Sequence, residues 1–224
     1  TQVLTLFPYT TLFRSYDLYG DHINRNIAAF GAPSPHLGTE TVTQPQIVDQ
    51  MLSIWRGGRA PSPADPAVTN ARAVLGELNR RSFQRSFEGD FSDATDAELL
   101  DAIVYNVFPN FSPWGGLAPN IIYRWRPNGR DVDSCIMEVM LLKRVARGGV
   151  RPPPVPVHWL GADEAWAAAT ELPILGAVID QDMQNMPWVQ RGLRASATGE
   201  VQLGQYQESR IRHFHRTLDR YLSR

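Results

Sequence analysis

The chain has 224 residues, a net charge of −1 and a single cysteine, Cys135. One domain with a sizeable core is the default at this length, and near-neutral charge predicts no bulk attraction to nucleic acid or anionic membrane. A lone cysteine excludes an internal disulfide, a Cys-rich zinc site and an iron–sulfur cluster held by this chain, and fits a reducing cytoplasmic compartment. No apolar run reaches transmembrane length.

Tyr16 to Phe30 reads as a strand, with Tyr19, Ile23 and Ile27 along one side and polar neighbours on the other. His22 reads as a strand histidine on the polar side. The Pro/Gly-rich stretch Gly31 to Gly38 reads as a loop, and His36 as a loop residue with a local hydrogen bond. Amphipathic spacing then predicts three helices. The first covers Pro45–Trp55, with Ile47, Met51, Ile54 and Trp55 on one face. The second spans about Ala67 to Phe87. The third starts near Asp93, capped by Ser92 or Thr95, and carries Leu99, Ile103 and Val104. They read as an insertion between strands that covers one side of a sheet.

The prolines and glycines of Asn106–Gly116 forbid a regular helix there. Its Phe108, Phe111 and Trp114 suit either a core or the wall of an apolar pocket. Asn120–Arg126 alternates Ile121, Tyr123 and Trp125 against Ile122, Arg124 and Arg126. Pro127-Asn-Gly129 is a hairpin signal, and Val132–Lys143 reads as the returning strand. Cys135 reads as a small buried side chain. Arg151–Pro156 is a polyproline-like spacer. A short Ala-rich helix is expected over Ala162–Ala169, and a final helix over Tyr206–Leu222 with Ile211, Phe214, Leu218, Tyr221 and Leu222 on its apolar face. His213 and His215 point about 200° apart on such a helix and read as flanking residues rather than a metal pair.

The chain is organised around Gly176–Leu193. Val178, Ile179, Met186, Val189 and Leu193 share one helical face, Asp182 sits within that stripe, and Asp180, Gln184, Arg191 and Arg194 point to solvent. A carboxylate on a core-facing stripe needs an Arg, backbone N–H groups or a metal cation. Pro187 predicts a kink or two short helices.

The run Asp180-Gln-Asp-Met-Gln-Asn-Met, followed by Pro-Trp-Val-Gln-Arg-Gly-Leu, resembles the C-terminal catalytic domain of the large (α) subunit of Rieske-type aromatic ring-hydroxylating dioxygenases. The Asn106-Val-Phe-Pro-Asn-Phe111 run, the Pro-Ser-Pro-His loop and the hairpin are similar to the same family. The resemblance implies an α+β, helix-grip fold: an antiparallel sheet curled around a long helix, with inserted helices. It also implies a mononuclear Fe(II) held by two histidines and one carboxylate, with Asp182 as that carboxylate and Asp180 as the nearby alternative. Asn110 and Phe111 become candidates for the substrate pocket. The implied reaction is cis-dihydroxylation or hydroxylation of an aromatic substrate by O2 in aromatic catabolism, with electrons from a Rieske [2Fe–2S] centre fed by a ferredoxin or reductase. The implied assembly is a homo-oligomer or an α/β hetero-oligomer.

Two departures accompany this resemblance. Thr5–Ser15 resembles an in-frame translation of a DNA sequencing-library adapter, so residues 1–15 are expected to be an artefact outside the fold, and residues 16–224 a partial catalytic domain. The family's His-x-x-x-x-His segment does not occur in the sequence, nor do the Cys and His of a Rieske centre. The chain itself is therefore expected to be inactive and iron-free. A metal-free carrier of hydrophobic ligands with the helix-grip fold is the alternative.

Overall fold

The computed structural model describes residues 15–32, 42–55, 63–87, 89–117, 120–146, 148–172, 175–206 and 208–223. Residues 1–14 and His36 lie outside them. The described strands form one antiparallel sheet in chain order: β1 (Ser15–Tyr19), β2 (Ile23–Ala28), β3 (Ala102–Val107), β4 (Phe111–Gly115), β5 (Ile121–Asn128) and β6 (Asp131–Leu141). With helices on and beside the sheet, the chain has the expected α+β class.

The expected first strand is a hairpin. Gly20, at φ 63°, turns the chain between β1 and β2, a conformation that carries no steric cost for glycine. The burial of β2 is also the reverse of its hydropathy. Asn24, Asn26 and Ala28 are buried, whereas Ile23 and Ile27 are only half-buried.

The insertion between β2 and β3 has its own core. Helices α1 (Gln44–Trp55), α2 (Ala71–Phe87) and α3 (Asp96–Leu100) bring Ile47, Leu75 and Leu99 together, each fully buried. Thr95 caps α3. Its hydroxyl accepts the Glu98 N–H, and the Glu98 carboxylate accepts the Thr95 N–H at 2.8 Å. The helix is shorter than expected. Asp101 is already extended, and the β-branched Ile103 and Val104 lie on β3.

The β5–β6 hairpin follows the sequence pattern. Tyr123 faces Val139, Trp125 faces Met137 and Arg124 faces Glu138, with Gly129 at φ 60° in the turn. An irregularity at Pro127/Asn128 falls where proline has no N–H to donate. Cys135 is exposed, contrary to expectation, since it lies in the turn-proximal stretch of β6, residues 131–135, all of which are exposed.

The Ala-rich segment forms only a short 3-10 helix, Trp166–Ala168. Helix α4 (Leu175–Ala195) then runs unbroken through Pro187, where a kink or two helices are expected from sequence. Its first half carries the packing: Ile179 is buried and Met183 joins Tyr123 and Val139 of the sheet. Met186, Val189 and Leu193 are exposed, so the apolar stripe is covered over only part of its length.

Helix α5 (Ser209–Leu222) docks partly through its expected apolar face, with Phe214 and Tyr221 against Phe108, and partly through buried polar groups. His213 and Thr217 are its buried residues. His213 Nε2 lies 2.9 Å from the Gly20 carbonyl, and the Thr217 hydroxyl donates to the Asp21 carbonyl at 2.5 Å. The exposed carbonyls of the β1–β2 turn are thereby satisfied. Among the described residues, no helix is long and apolar enough to cross a membrane.

Candidate substrate cavity and metal-ligand carboxylate

Cross-strand partners in a sheet share a face. Asn24 pairs with Asn106 and Ser112 with Tyr123, so one face of the sheet carries these side chains together with Trp125. Helix α4 covers this face over Tyr123 and Val139. Further along it, a cavity of about 290 Å³ opens between the sheet, the β3–β4 turn and α5.

Asn110 and Phe111, both expected at a pocket from the Phe-Pro-Asn-Phe run, line this cavity. The Asn110 carbonyl accepts the Trp125 N–H at 3.1 Å, fastening the turn to β5. The aromatic walls are Phe108, Phe111, Trp125 and Phe214. Phe108 and Phe214 rings lie 5.3 Å apart. The polar part of the lining was not legible from sequence. Asn24 reads as a polar strand neighbour, Asn106 only as the start of the Phe-Pro-Asn-Phe run, and His213 as a flanking residue, until the pairing register brings them together.

Asp182 does not line the cavity. It lies on α4 one turn beyond Ile179, close enough to Tyr123 for their charges to interact. The rings of Tyr123 and Trp125 are 5.9 Å apart, and Trp125 belongs to the cavity wall. Tyr123 neighbours both Asp182 and the cavity-lining Trp125. Asp182 is exposed rather than core-facing as its stripe predicts, because the α4 stripe is covered over only part of its length, yet partial desolvation still pushes its pKa above the ordinary carboxylate value. Among the described residues its carboxylate has neither an ion pair nor a hydrogen bond, so the Arg and backbone N–H alternatives are not realised there.

Asp180 has a different task. Its carboxylate accepts the backbone N–H of Trp166 at 2.7 Å and of Ala167 at 3.0 Å, capping the 3-10 helix. It is half-buried and structural, not the solvated residue its helical position suggests.

Burial first, then the Asp182 charge, pushes the Tyr123 phenol up to about 12. The phenol therefore stays protonated at neutral pH. Asp182→Asn is expected to lower the Tyr123 pKa from about 12 towards 10. A phenolate absorbance titration of variant against parent checks this, and an unchanged titration would mean the two groups are not coupled. The sign for stability follows from linkage. A folded-state pKa above the unfolded value contributes stability that is present below pH 10 and is lost as pH rises through about 12.

The described histidines are engaged elsewhere. His22 Nε2 lies 2.9 Å from the Tyr221 hydroxyl, so it sits at the β1–β2 turn against α5 rather than along a strand. His158 lies 3.0 Å from Glu171. Among the described residues, no three His, Cys, Asp or Glu side chains gather to hold a metal ion.

No curated protein and no solved structure matches the chain. The model of one family, the ring hydroxylating α subunit (catalytic domain), matches residues 37–224. That match spans the helical insertion, the sheet from β3 onward, α4 with Asp182, and α5. The chain belongs to the catalytic-domain family of ring-hydroxylating oxygenase α subunits.

Proposed function

We propose that these residues form the distal part of an oxygenase catalytic domain, with Asp182 supplying the carboxylate of a two-His, one-carboxylate iron site. The observation that carries this reading is the state of Asp182. Its carboxylate has no hydrogen bond or ion pair among the described residues, its pKa is raised by partial desolvation although the residue is exposed, and it stands on the helix that packs against the sheet. An unpaired acid in partly desolvated surroundings is destabilising unless a cation or proton compensates it. In the assembled oxygenase, iron would supply O2 activation, with electrons from a Rieske [2Fe–2S] centre and a ferredoxin or reductase.

The residues described here do not fit an iron ion on their own, since Asp182 is a single donor and no trio of ligands surrounds it. The chain's own contribution is the aromatic-walled cavity, in which Asn110 and Phe111 contact an aromatic substrate, and the protonated Tyr123 beside Asp182. The chain alone is inactive. The proposed setting is aromatic catabolism in the cytoplasm, in a homo-oligomer or an assembly with β subunits.

Iron content tests the assignment. The 224-residue chain, loaded anaerobically with Fe(II) and desalted, is expected to retain no stoichiometric iron. The same residues joined to a family His-x-x-x-x-His segment are expected to retain iron, and Asp182→Ala in that protein to lose it. Iron retained by the Asp182→Ala protein would remove Asp182 from the ligand set. Stoichiometric iron in the chain alone would refute the inactive-fragment reading. A chain that binds arenes without iron in either form would be a hydrophobic-ligand carrier.

A further inference from the structure

The cavity has a polar floor that the oxygenase reading leaves unused. Asn24, Asn26, Asn106 and Ser112 come from three adjacent strands and are joined side chain to side chain. Asn106 Nδ2 donates to Asn24 Oδ1 at 2.8 Å and to Asn26 Oδ1 at 3.2 Å. The Ser112 hydroxyl lies 2.6 Å from Asn106 Oδ1. Asn26 is 0% exposed, Ser112 2% and Asn24 6%. Asn24, Asn106 and Ser112 line the cavity directly.

Each amide has a carbonyl acceptor and two N–H donors. The carbonyls of Asn24 and Asn26 each accept from Asn106, and the single Ser112 hydroxyl proton lies between Asn106 Oδ1 at 2.6 Å and the Tyr105 carbonyl at 3.0 Å. What the cluster has left to offer is N–H. Asn26 Nδ2 is buried behind the cavity lining without a hydrogen-bond partner among the described residues, and Asn106 Nδ2 already donates to both neighbours, so the donor that faces the cavity is Asn24 Nδ2. A buried donor without an acceptor is costly, and a partly satisfied polar network is the form that gains most from one more partner. Charge narrows the partner further. The described lining contains no Arg or Lys, its carboxylate, Asp21, is paired with Arg220 at 2.6 Å, and its histidines, His22 and His213, are turned through Nε2 to the Tyr221 hydroxyl and the Gly20 carbonyl. An anionic substituent would meet no fixed cation in that lining. Size also narrows it: about 290 Å³ is near the lower end of small-molecule cavities, roughly 300–1,000 Å³, and suits an arene of one or two rings.

We infer that the site selects a neutral arene bearing a hydrogen-bond-accepting substituent, with the ring against Phe111 and Trp125 and the acceptor at the Asn24 amide N–H. This deepens the oxygenase reading, resting on it for the word substrate; the binding itself needs no iron, so failure of iron loading leaves the test standing.

The test is calorimetric titration of the full chain with 1-tetralone, tetralin and tetralin-1-carboxylate. The three share a two-ring frame and differ in the acceptor and its charge. Tetralone is expected to bind at least about tenfold tighter than tetralin, the fold-change of one good hydrogen bond, and tighter than the carboxylate. Asn24→Leu keeps the side chain's size and leaves Asn106 bonded to Asn26. It is expected to bring tetralone and tetralin to parity. The unmodified chain is decisive even if that variant does not fold. Equal affinities, a preference for tetralin or the carboxylate, or no binding by any of the three would overturn the inference. A preference that survives Asn24→Leu in a folded variant would remove the amide cluster as its source.

Discussion

Asp101→Ala is expected to lower folding stability by about 3–5 kcal/mol, the cost of leaving a buried charge without its partner. Asp101 stands where α3 ends and β3 begins, and its side chain is 6% exposed against 24% for Arg72. Its Oδ1 accepts from Arg72 Nη1 at 2.7 Å and from the Phe30 N–H at 3.1 Å, and its Oδ2 accepts from Arg72 Nη2 at 3.1 Å. Arg72 also donates to the Phe30 carbonyl at 2.5 Å. One forked pair therefore ties α2, the end of β2 and the start of β3 together. Removing the carboxylate strands a guanidinium and a backbone N–H at once. Replacing both partners by Met and Leu is expected to cost less than removing Asp101 alone, because no unpaired charge remains. Urea unfolding of the single and double variants checks both statements. A loss below about 1 kcal/mol for Asp101→Ala would place the pair among ordinary surface ion pairs.

The second large effect is at the start of α4. A Cβ built on Gly176 would lie 2.6 Å from the Trp166 carbonyl oxygen and 2.8 Å from the Ala167 Cα. Both obstacles are backbone. That backbone is itself held by Asp180, which accepts the N–H groups of Trp166 and Ala167, so neither side of the contact has a flexible end to move. Gly176→Val is expected to cost about 1–3 kcal/mol through overpacking. It should also displace the helix that carries Asp182 relative to Tyr123. A thermal melt reads the first effect, and loss of the raised Tyr123 phenol pKa reads the second. A variant with parental stability and parental titration would show that the 3-10 helix yields easily.

Legibility from sequence tracked how local the determining forces are. The β5–β6 hairpin was readable because alternation and the Asn128-Gly129 turn act within a few residues. Thr95 was readable as a cap because its partner, Glu98, is three residues on. Ile103 and Val104 were assigned to a helix because apolar spacing continues past Leu99, and nothing local announces that Asp101 is extended to meet Arg72. Pro187 suggested a break that α4 does not make. Asn24 and Asn26 read only as polar strand neighbours because the partner that justifies burying them, Asn106, is about eighty residues away and is set by strand register. His213 was undervalued for the same reason: it meets Gly20, 193 residues distant. Asn110 and Phe111 lie at a cavity as their motif suggested. That Asp182 is not in the lining of that cavity depends on how α4 sits on the sheet, which no motif encodes.

The sheet's strand order has a consequence for how the chain reaches its folded state. Every strand pairs with its neighbour in sequence, so β3 to β6 can assemble by successive short hairpins of low contact order, and β1–β2 by another. One seam differs. Ala28 and Ala102 pair across residues 29–101. Closure entropy rises only logarithmically with loop length, about 0.6 kcal/mol per doubling, so length alone is a modest obstacle. The insertion's private core of Ile47, Leu75 and Leu99 shortens the effective loop further once it condenses. The Arg72–Asp101–Phe30 junction then sits where the helical unit meets both halves of the sheet, making that unit the splint across which two independently nucleated hairpin assemblies are zipped into one sheet.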